Sequence, residues 1–511
     1  SALGATRGAS LHSWAARLRR PPGLASVTAG LRGQRLVTAF GFALVVGWIL
    51  LAKLLAYERL GTTSDLYSAY QLATTWLDGN FLYENAFGHH LSMHTYFLTP
   101  LLAVVAVPFG PPGLLGLVAL SAGASFVAAQ RILEDQGWSS ASAGGVGLVL
   151  LLCPLSFHLY FDSLYGFHIE LLAPALSLWL LVFLLRGRTV PALAMAFSLI
   201  LMKEEIPLLV AVVAGIGFCE SWIGGRALDG PERRRAIRRA SLYTLALAVV
   251  GLAFCMAILE ANQRVGPSWG SFSRLVETRG EGIGDATSLV AFALANAGSW
   301  FSFTLEKGWL ALLFFGSFGA ILFRPHYVVL GFGLSITAWM MRDDPLWPAR
   351  LAPTWSFLLC VSVLGAGSAR RLPRSLGGGR IPVVALGLLA SVVVVASLGW
   401  QWSVAPSSKQ VYTLKTGSAY SAADRADADH TFAYYEAARG PADPVIAATL
   451  LFRYADADHL YWSDRLENAP FIEWILWDGD FDFSSSRLAE ERYAIEWREG
   501  RFVLYRRRGA G

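Results

Sequence analysis

Charge is what this chain has least of. Only 15% of its 511 residues are charged, against about a quarter in a soluble domain, while 54% are hydrophobic and the mean hydropathy is +0.46. That balance excludes an ordinary soluble globule and points to a polytopic membrane protein. Cysteine is scarce as well: Cys153, Cys219, Cys255 and Cys360 all lie within apolar segments, so there is neither a disulfide framework nor a metal-ligand spacing among them. No Walker loop, dinucleotide fingerprint or nucleophile elbow stands in a suitable context, which argues against ATP-driven transport and serine hydrolysis. There is no internal repeat, and Gly377-Gly378-Gly379 is the one low-complexity tract. Ser1–Arg35 has no small-residue cleavage site; basic and Gly/Ala-rich, it reads as a cytoplasmic lead-in. The net charge of +5 does not mark a nucleic-acid partner, because the arginines occupy short loops between apolar runs.

Those runs are Leu36–Ala56, Gly113–Gln130, Ala141–Phe157, Leu171–Leu185, Val190–Met202, Ile206–Cys219, Leu242–Leu259, Trp309–Phe323, Tyr327–Met341, Ala352–Gly365 and Ile381–Trp400. Several fall short of the roughly 20 residues a helix needs to cross alone. The arginine clusters flank alternate runs, so about 11 transmembrane helices place every cluster on one side. The N-terminus is then cytoplasmic and the C-terminus extracytoplasmic. Tyr96–Phe109, apolar but short and carrying Pro100 and Pro108, would break that parity as a span and reads as a juxtamembrane or re-entrant helix. After Trp400 the composition turns polar. Three parts follow: a cytoplasmic segment at 1–35, a transmembrane domain at 36–400 and a small α/β domain at 401–511. Within the last, Ser421–Arg439 reads as a helix, Val445–Tyr454 as a buried strand, and Tyr493–Trp497 with Arg501–Tyr505 as a hairpin.

The loop Glu58–Pro100 is too long and too rich in ionisable groups to be a mere connection. The spacing Leu66, Tyr70, Leu72, Ala73, Trp76, Leu77 predicts an amphipathic interfacial helix with Asp65 at its N-terminal end. The loop also holds His89, His90 and His94. The other outer loops add Asp162, His168 and Glu170, then Lys203, Glu204 and Glu205, then Arg350. Lys203-Glu204-Glu205 interrupts an apolar stretch, either as a tight turn reaching water or as charges facing a cavity. Histidine and carboxylates suit a divalent metal ion, with Asp162 and His168 as candidate ligands, although no spacing is diagnostic.

Acids gathered on one membrane face suit group transfer from a lipid-linked donor. A carboxylate removes the acceptor's proton, and cations meet the phosphate that leaves. Asp65 is the candidate base; Lys203, Arg350 and Arg264 are phosphate-side candidates. SDLYSAYQ (Ser64–Gln71), HTYFLTPLLAVVAVPFG (His94–Gly110), GFHIELLAPAL (Gly166–Leu176), LMKEEIPLL (Leu201–Leu209) and ATLLFRYADADHLYWSDR (Ala447–Arg465) together resemble the DUF2079 family of predicted membrane proteins, grouped with the GT-C superfamily of polyprenyl-phosphate-dependent glycosyltransferases. The resemblance implies a mainly α, GT-C-like fold with a large first extracytoplasmic loop. It also implies Asp65 as catalytic base, with Asp162, His168 and Glu170 on the metal or acceptor side.

Candidate catalytic residues are thus Asp65, Glu170 and His168. Lys203, Glu204, His94 and Arg350 are candidates for holding substrate or phosphate. Where the resemblance implies a His-Tyr pair near Pro345–Pro353, this chain has WPARLAP. Expected partners are membrane lipid, a polyprenyl phosphate sugar donor, a glycan, lipid or protein acceptor, and a protein docking on 401–511. The expected location is a bacterial inner (cytoplasmic) membrane. Two rival classes remain: a membrane transporter or lipid flippase relaying through Lys203-Glu204-Glu205, and a non-catalytic subunit.

Overall fold

The computed structural model describes residues 24–61, 65–85, 88–92, 94–162, 165–223, 230–263, 308–340, 346–370, 380–405, 420–440, 445–447, 460–462, 472–478 and 492–509, with the single residues 298, 302 and 409. The expectations for Arg264, for Gly377–Gly379 and for most of the Ala447–Arg465 motif lie outside them.

The apolar runs are helical, because backbone polar groups can be satisfied within the segment only that way in hydrocarbon, but Ala141–Phe157 breaks before Pro154 and Trp309–Phe323 breaks after Gly316. The long helices are α1 (Leu24–Glu58), α4 (Pro111–Asp135), α10 (Pro231–Gln263), α13 (Pro348–Ala369) and α14 (Arg380–Val404). Between them lie α5 (Ser140–Leu151), α6 (Pro154–Phe161), α7 (Ala173–Leu185), α8 (Thr189–Ile200), α9 (Ile206–Ile223), α11 (Trp309–Gly316) and α12 (Tyr327–Met340). Among the described residues five helices are long and apolar enough to cross a membrane, or six if α5 and α6 make one span bent by 60°. The bend falls at Pro154, which starts α6 and cannot continue the hydrogen-bond ladder of α5. The 3-10 turn and α7 from Ile169 to Leu185, with α8 and α9, are apolar but shorter.

Helix α13 is the centre of the bundle: Trp355, Phe357, Leu358, Leu359 and Val361 are fully buried against neighbouring helices. Helix α14, by contrast, exposes Val384, Leu388, Leu389, Val392 and Val395, a face suited to lipid.

One end of the bundle collects the basic loops. Arg186 pairs with Asp135 at 2.8 Å, Arg233 donates to the Leu185 carbonyl, Gln34 donates to Glu134, and Arg370 lies over the Trp138 ring. Arg324, beside Glu220 near the end of α9, is at the same end.

The opposite end holds the first loop, which folds compactly. The predicted interfacial helix is α2 (Asp65–Thr74), one turn shorter than the apolar spacing suggested. Leu66, Tyr67, Gln71 and Leu72 are buried in the protein, whereas Trp76 and Leu77 lie in a following 3-10 turn and are exposed. A short hairpin, β1 (Tyr83–Glu84) and β2 (Gly88–His89), follows. Tyr96–Phe109 does not cross as a regular span. It forms a 3-10 turn at Thr99–Leu102 and the short helix α3 (Ala103–Phe109), which turns back at Gly110 (φ 63°) into α4. A Cβ at Gly113 would fall on the Val105 carbonyl oxygen, so only glycine permits that close return.

The C-terminal part contains α15 (Ala422–Ala438), capped by Ser421 and Asp424, and a five-stranded mixed sheet. Its strands are β3 (Val445–Ala447), β4 (Leu460–Trp462), β5 (Trp474–Asp478), β6 (Tyr493–Glu499) and β7 (Phe502–Arg507), in the order β4-β3-β5-β7-β6. The β6–β7 hairpin is where the alternating pattern placed it.

Candidate functional site

Asp65, Asp162 and His168 come together from three elements. Asp65 opens α2. Asp162 terminates α6 in the left-handed conformation (φ 41°), which aspartate tolerates better than most residues. His168 precedes the 3-10 turn Ile169–Leu172. The His168 ring bridges the two acids: Nδ1 is 2.9 Å from Asp162 Oδ2 and Nε2 is 3.4 Å from Asp65 Oδ2. Burial works against charge on the imidazole, but Asp162, by charge and hydrogen bond, and Asp65 outweigh it and hold the ring up to about 10. His168 is therefore an imidazolium at neutral pH, with both N–H groups directed at carboxylates.

Beneath this trio lies Lys53, in α1 and 1% exposed. Its Nζ donates to the Phe161 carbonyl at 3.1 Å and to the Gly166 carbonyl, bracketing the loop that carries Asp162 and Tyr165. On the other side an aromatic wall rises. Tyr165 meets His168 edge-on at 4.9 Å and stacks on Trp347 at 5.5 Å, and the Arg350 guanidinium lies 4.6 Å over the Trp347 ring. Burial first, then the charges of Asp65 and Asp162, push the Tyr165 phenol up to about 12, so it stays a neutral hydroxyl.

Glu170 joins this site to a second cluster. Lys203 Nζ is 2.8 Å from Glu170 and 3.2 Å from Glu205. Glu204 accepts from His94 Nδ1 at 2.8 Å and from the Thr95 backbone N–H at 3.2 Å. The Leu98 N–H donates to the Leu201 carbonyl, so the first loop is fastened along the α8–α9 turn. Burial pushes Glu205 up to about 7, with Glu204 and Glu170 adding to it and Lys203 opposing. His90 pairs with the buried Glu84 and stacks on Tyr96, which stiffens the same loop from behind.

All seven predicted catalytic and binding residues thus lie at one end of the bundle. The structure distributes them differently from the sequence reading. Lys203, expected to face phosphate, is 7% exposed with two carboxylates on its ammonium; Glu204 and His94 bind each other. Arg350, in the first turn of α13 where WPARLAP stands in place of the expected His-Tyr pair, is partly exposed and stands beside the trio. The two expected ligands of a metal ion, Asp162 and His168, contact each other at 2.9 Å. Among the described residues no group of three or more His, Cys, Asp or Glu is arranged to hold one. Sequence reasoning missed Lys53, Tyr165 and Trp347. Lys53 alone had a signal, a lysine within an apolar run.

No family model matches the chain, and no curated protein matches it. Among solved structures it is similar to ArnT from Cupriavidus metallidurans. The form bound to undecaprenyl phosphate is 15% identical, with 92% of this chain and 98% of that one covered and a TM-score of 0.44. The apo form gives 16%, 91%, 97% and 0.43. An Archaeoglobus fulgidus oligosaccharyltransferase, in complex with zinc and sulfate, is 12% identical over 85% of this chain and 68% of that one, with a TM-score of 0.40.

Proposed function

We propose that the chain is an integral-membrane, GT-C-like inverting glycosyltransferase, with about eleven spans and the site on the extracytoplasmic face. It moves a sugar from a polyprenyl phosphate to a hydroxyl acceptor. One observation carries the reading: within the buried ionic network a single carboxylate is open. The Asp65 side chain is 28% exposed, while those of Asp162, Glu170, Glu204 and Glu205 are 0%, 1%, 6% and 8%. A network that closes every acid but one presents that one to a reactant.

The acceptor's O–H proton passes to Asp65 as its oxygen bonds to the anomeric carbon. The bond from that carbon to the phosphate oxygen breaks, and its electron pair leaves with the polyprenyl phosphate. His168 engages Oδ2 and fixes the direction of the carboxylate; Asp162 keeps His168 charged and in place. Arg350, on the Trp347 ring and partly exposed, is the cation placed beside the site for the leaving phosphate. Lys203, Glu204, Glu170 and His94 hold the loop from which Asp65 projects.

Asp65→Asn is expected to insert and fold normally while abolishing transfer. Proteoliposomes charged with undecaprenyl phosphate hexoses and pentoses, with membrane-lipid extract as acceptor, would show no release of undecaprenyl phosphate. Wild-type turnover by Asp65→Asn removes the reading. A transport reading has one observation in its favour, the buried Lys203–Glu205 pair beside Glu204; it requires solute flux that stops in Glu204→Gln.

A further inference from the structure

A lysine in a membrane span is costly unless something compels it to be there. Lys53 is buried, with its ammonium on two backbone carbonyls rather than on a carboxylate. One carbonyl closes α6 and the other lies in the passage from α6 to His168. Phe161 is the last residue of α6, where the helix dipole leaves negative partial charge. Gly166 closes the turn, since its N–H donates back to the Asp162 carbonyl at 2.9 Å. Lys53 therefore spans the mouth of the turn that forces Asp162 into its left-handed conformation. Its charge also acts on Asp162.

His168 lies between Asp162 and Asp65, so the series that starts at the turn held by Lys53 ends on the open carboxylate.

We infer that Lys53 is a positioning residue for this site: it sets the 161–166 turn and counterbalances Asp162, so that Asp162 orients His168 and His168 orients Asp65. This rests on the reading of Asp65 as the base. Lys53 touches neither substrate nor the reacting atoms and acts through Asp162.

The test compares wild type, Lys53→Met, Asp162→Asn and the double variant, each in nanodiscs. Hydrogen exchange of the 158–170 segment needs no substrate and is expected to quicken in Lys53→Met; unchanged exchange overturns the inference. Turnover is read as release of undecaprenyl phosphate from the panel of undecaprenyl phosphate sugars used above. Lys53→Met is expected to lower kcat about 10- to 100-fold with KM within about 2-fold, the mark of lost alignment rather than lost binding. In the Asp162→Asn background the same substitution is expected to remove less than about 3-fold more, because residues acting through one another are not additive. Wild-type turnover in Lys53→Met, or losses that multiply in the double variant, would overturn the inference. Should Lys53→Met fail to insert, the double variant, which removes both charges together, should recover insertion; no recovery also overturns it. If Asp65→Asn remains active, the glycosyltransferase reading falls, whereas the exchange result still decides whether Lys53 holds the turn.

Discussion

The charge on His168 can be weighed without any substrate. Its ordinary value is 6.5, and here it is held up to about 10; a gap of that size corresponds to about 5 kcal/mol in favour of the imidazolium. The folded protein keeps this proton between those two values and the unfolded chain does not. By linkage, stability is fully present below pH 6.5 and is lost as pH rises towards 10, at about 1.4 kcal/mol for each pH step of one. Between pH 7 and pH 9 the wild type should therefore lose about 3 kcal/mol from this group alone.

Asp162→Asn removes the nearer carboxylate, at 2.9 Å, and leaves Asp65 at 3.4 Å and the charge of Glu170. Burial then gains the upper hand, and most of the slope should vanish. The assay is unfolding in detergent at several pH values for wild type, Asp162→Asn and His168→Gln. Lysines and tyrosines titrate in all three, so the difference in slope isolates His168. If His168→Gln keeps the wild-type slope, the ring is not an imidazolium and the bridging geometry has been misread.

Two further outcomes can be checked. Glu204→Gln breaks the contact with His94 and weakens the tie to Thr95, and removing one partner of a buried pair costs about 3 kcal/mol; limited proteolysis should then cut the first loop faster, while solute flux, if any, should be unaffected. Gly113→Ala drives a methyl into the Val105 carbonyl and should cost about 1–3 kcal/mol of thermal stability, whereas Gly116→Ala, which meets open space, should cost nothing measurable.

The helices were legible because apolar runs in a charge-poor chain have one structural outcome, and Asp65 was legible because a carboxylate just outside the first span is conspicuous. The common end of the basic loops followed from their alternation with those runs, and Arg186 on Asp135 and Arg233 on Leu185 give it physical form. What stayed hidden is pairing. Nothing in LMKEEIPLL says that Lys203 is paired with Glu170 rather than directed at a ligand, because a partner some thirty residues away is fixed only by how α7, α8 and α9 pack. Lys53 was masked by its neighbours, since averaging over an apolar window dilutes one charge. Tyr165 and Trp347 belong to short loops with no period to read. Strand β5, Trp474–Asp478, is buried at every residue, so it lacks the alternation that marks a half-exposed strand.

The 3-10 turn at Thr99–Leu102 and the short helix α3 present Leu101, Val104, Val107 and Phe109 outward, while their other side supports α2. Asp65 therefore stands on a float. In a bilayer, those apolar side chains settle at the hydrocarbon boundary, so the height of the carboxylate is referred to the leaflet as well as to the helical bundle. On the proposed glycosyltransferase reading, a donor whose phosphate is held at headgroup level by its own buried tail shares that reference plane. Lipid thickness then displaces the carboxylate and the anomeric carbon in the same direction, and their separation is buffered against changes in membrane composition.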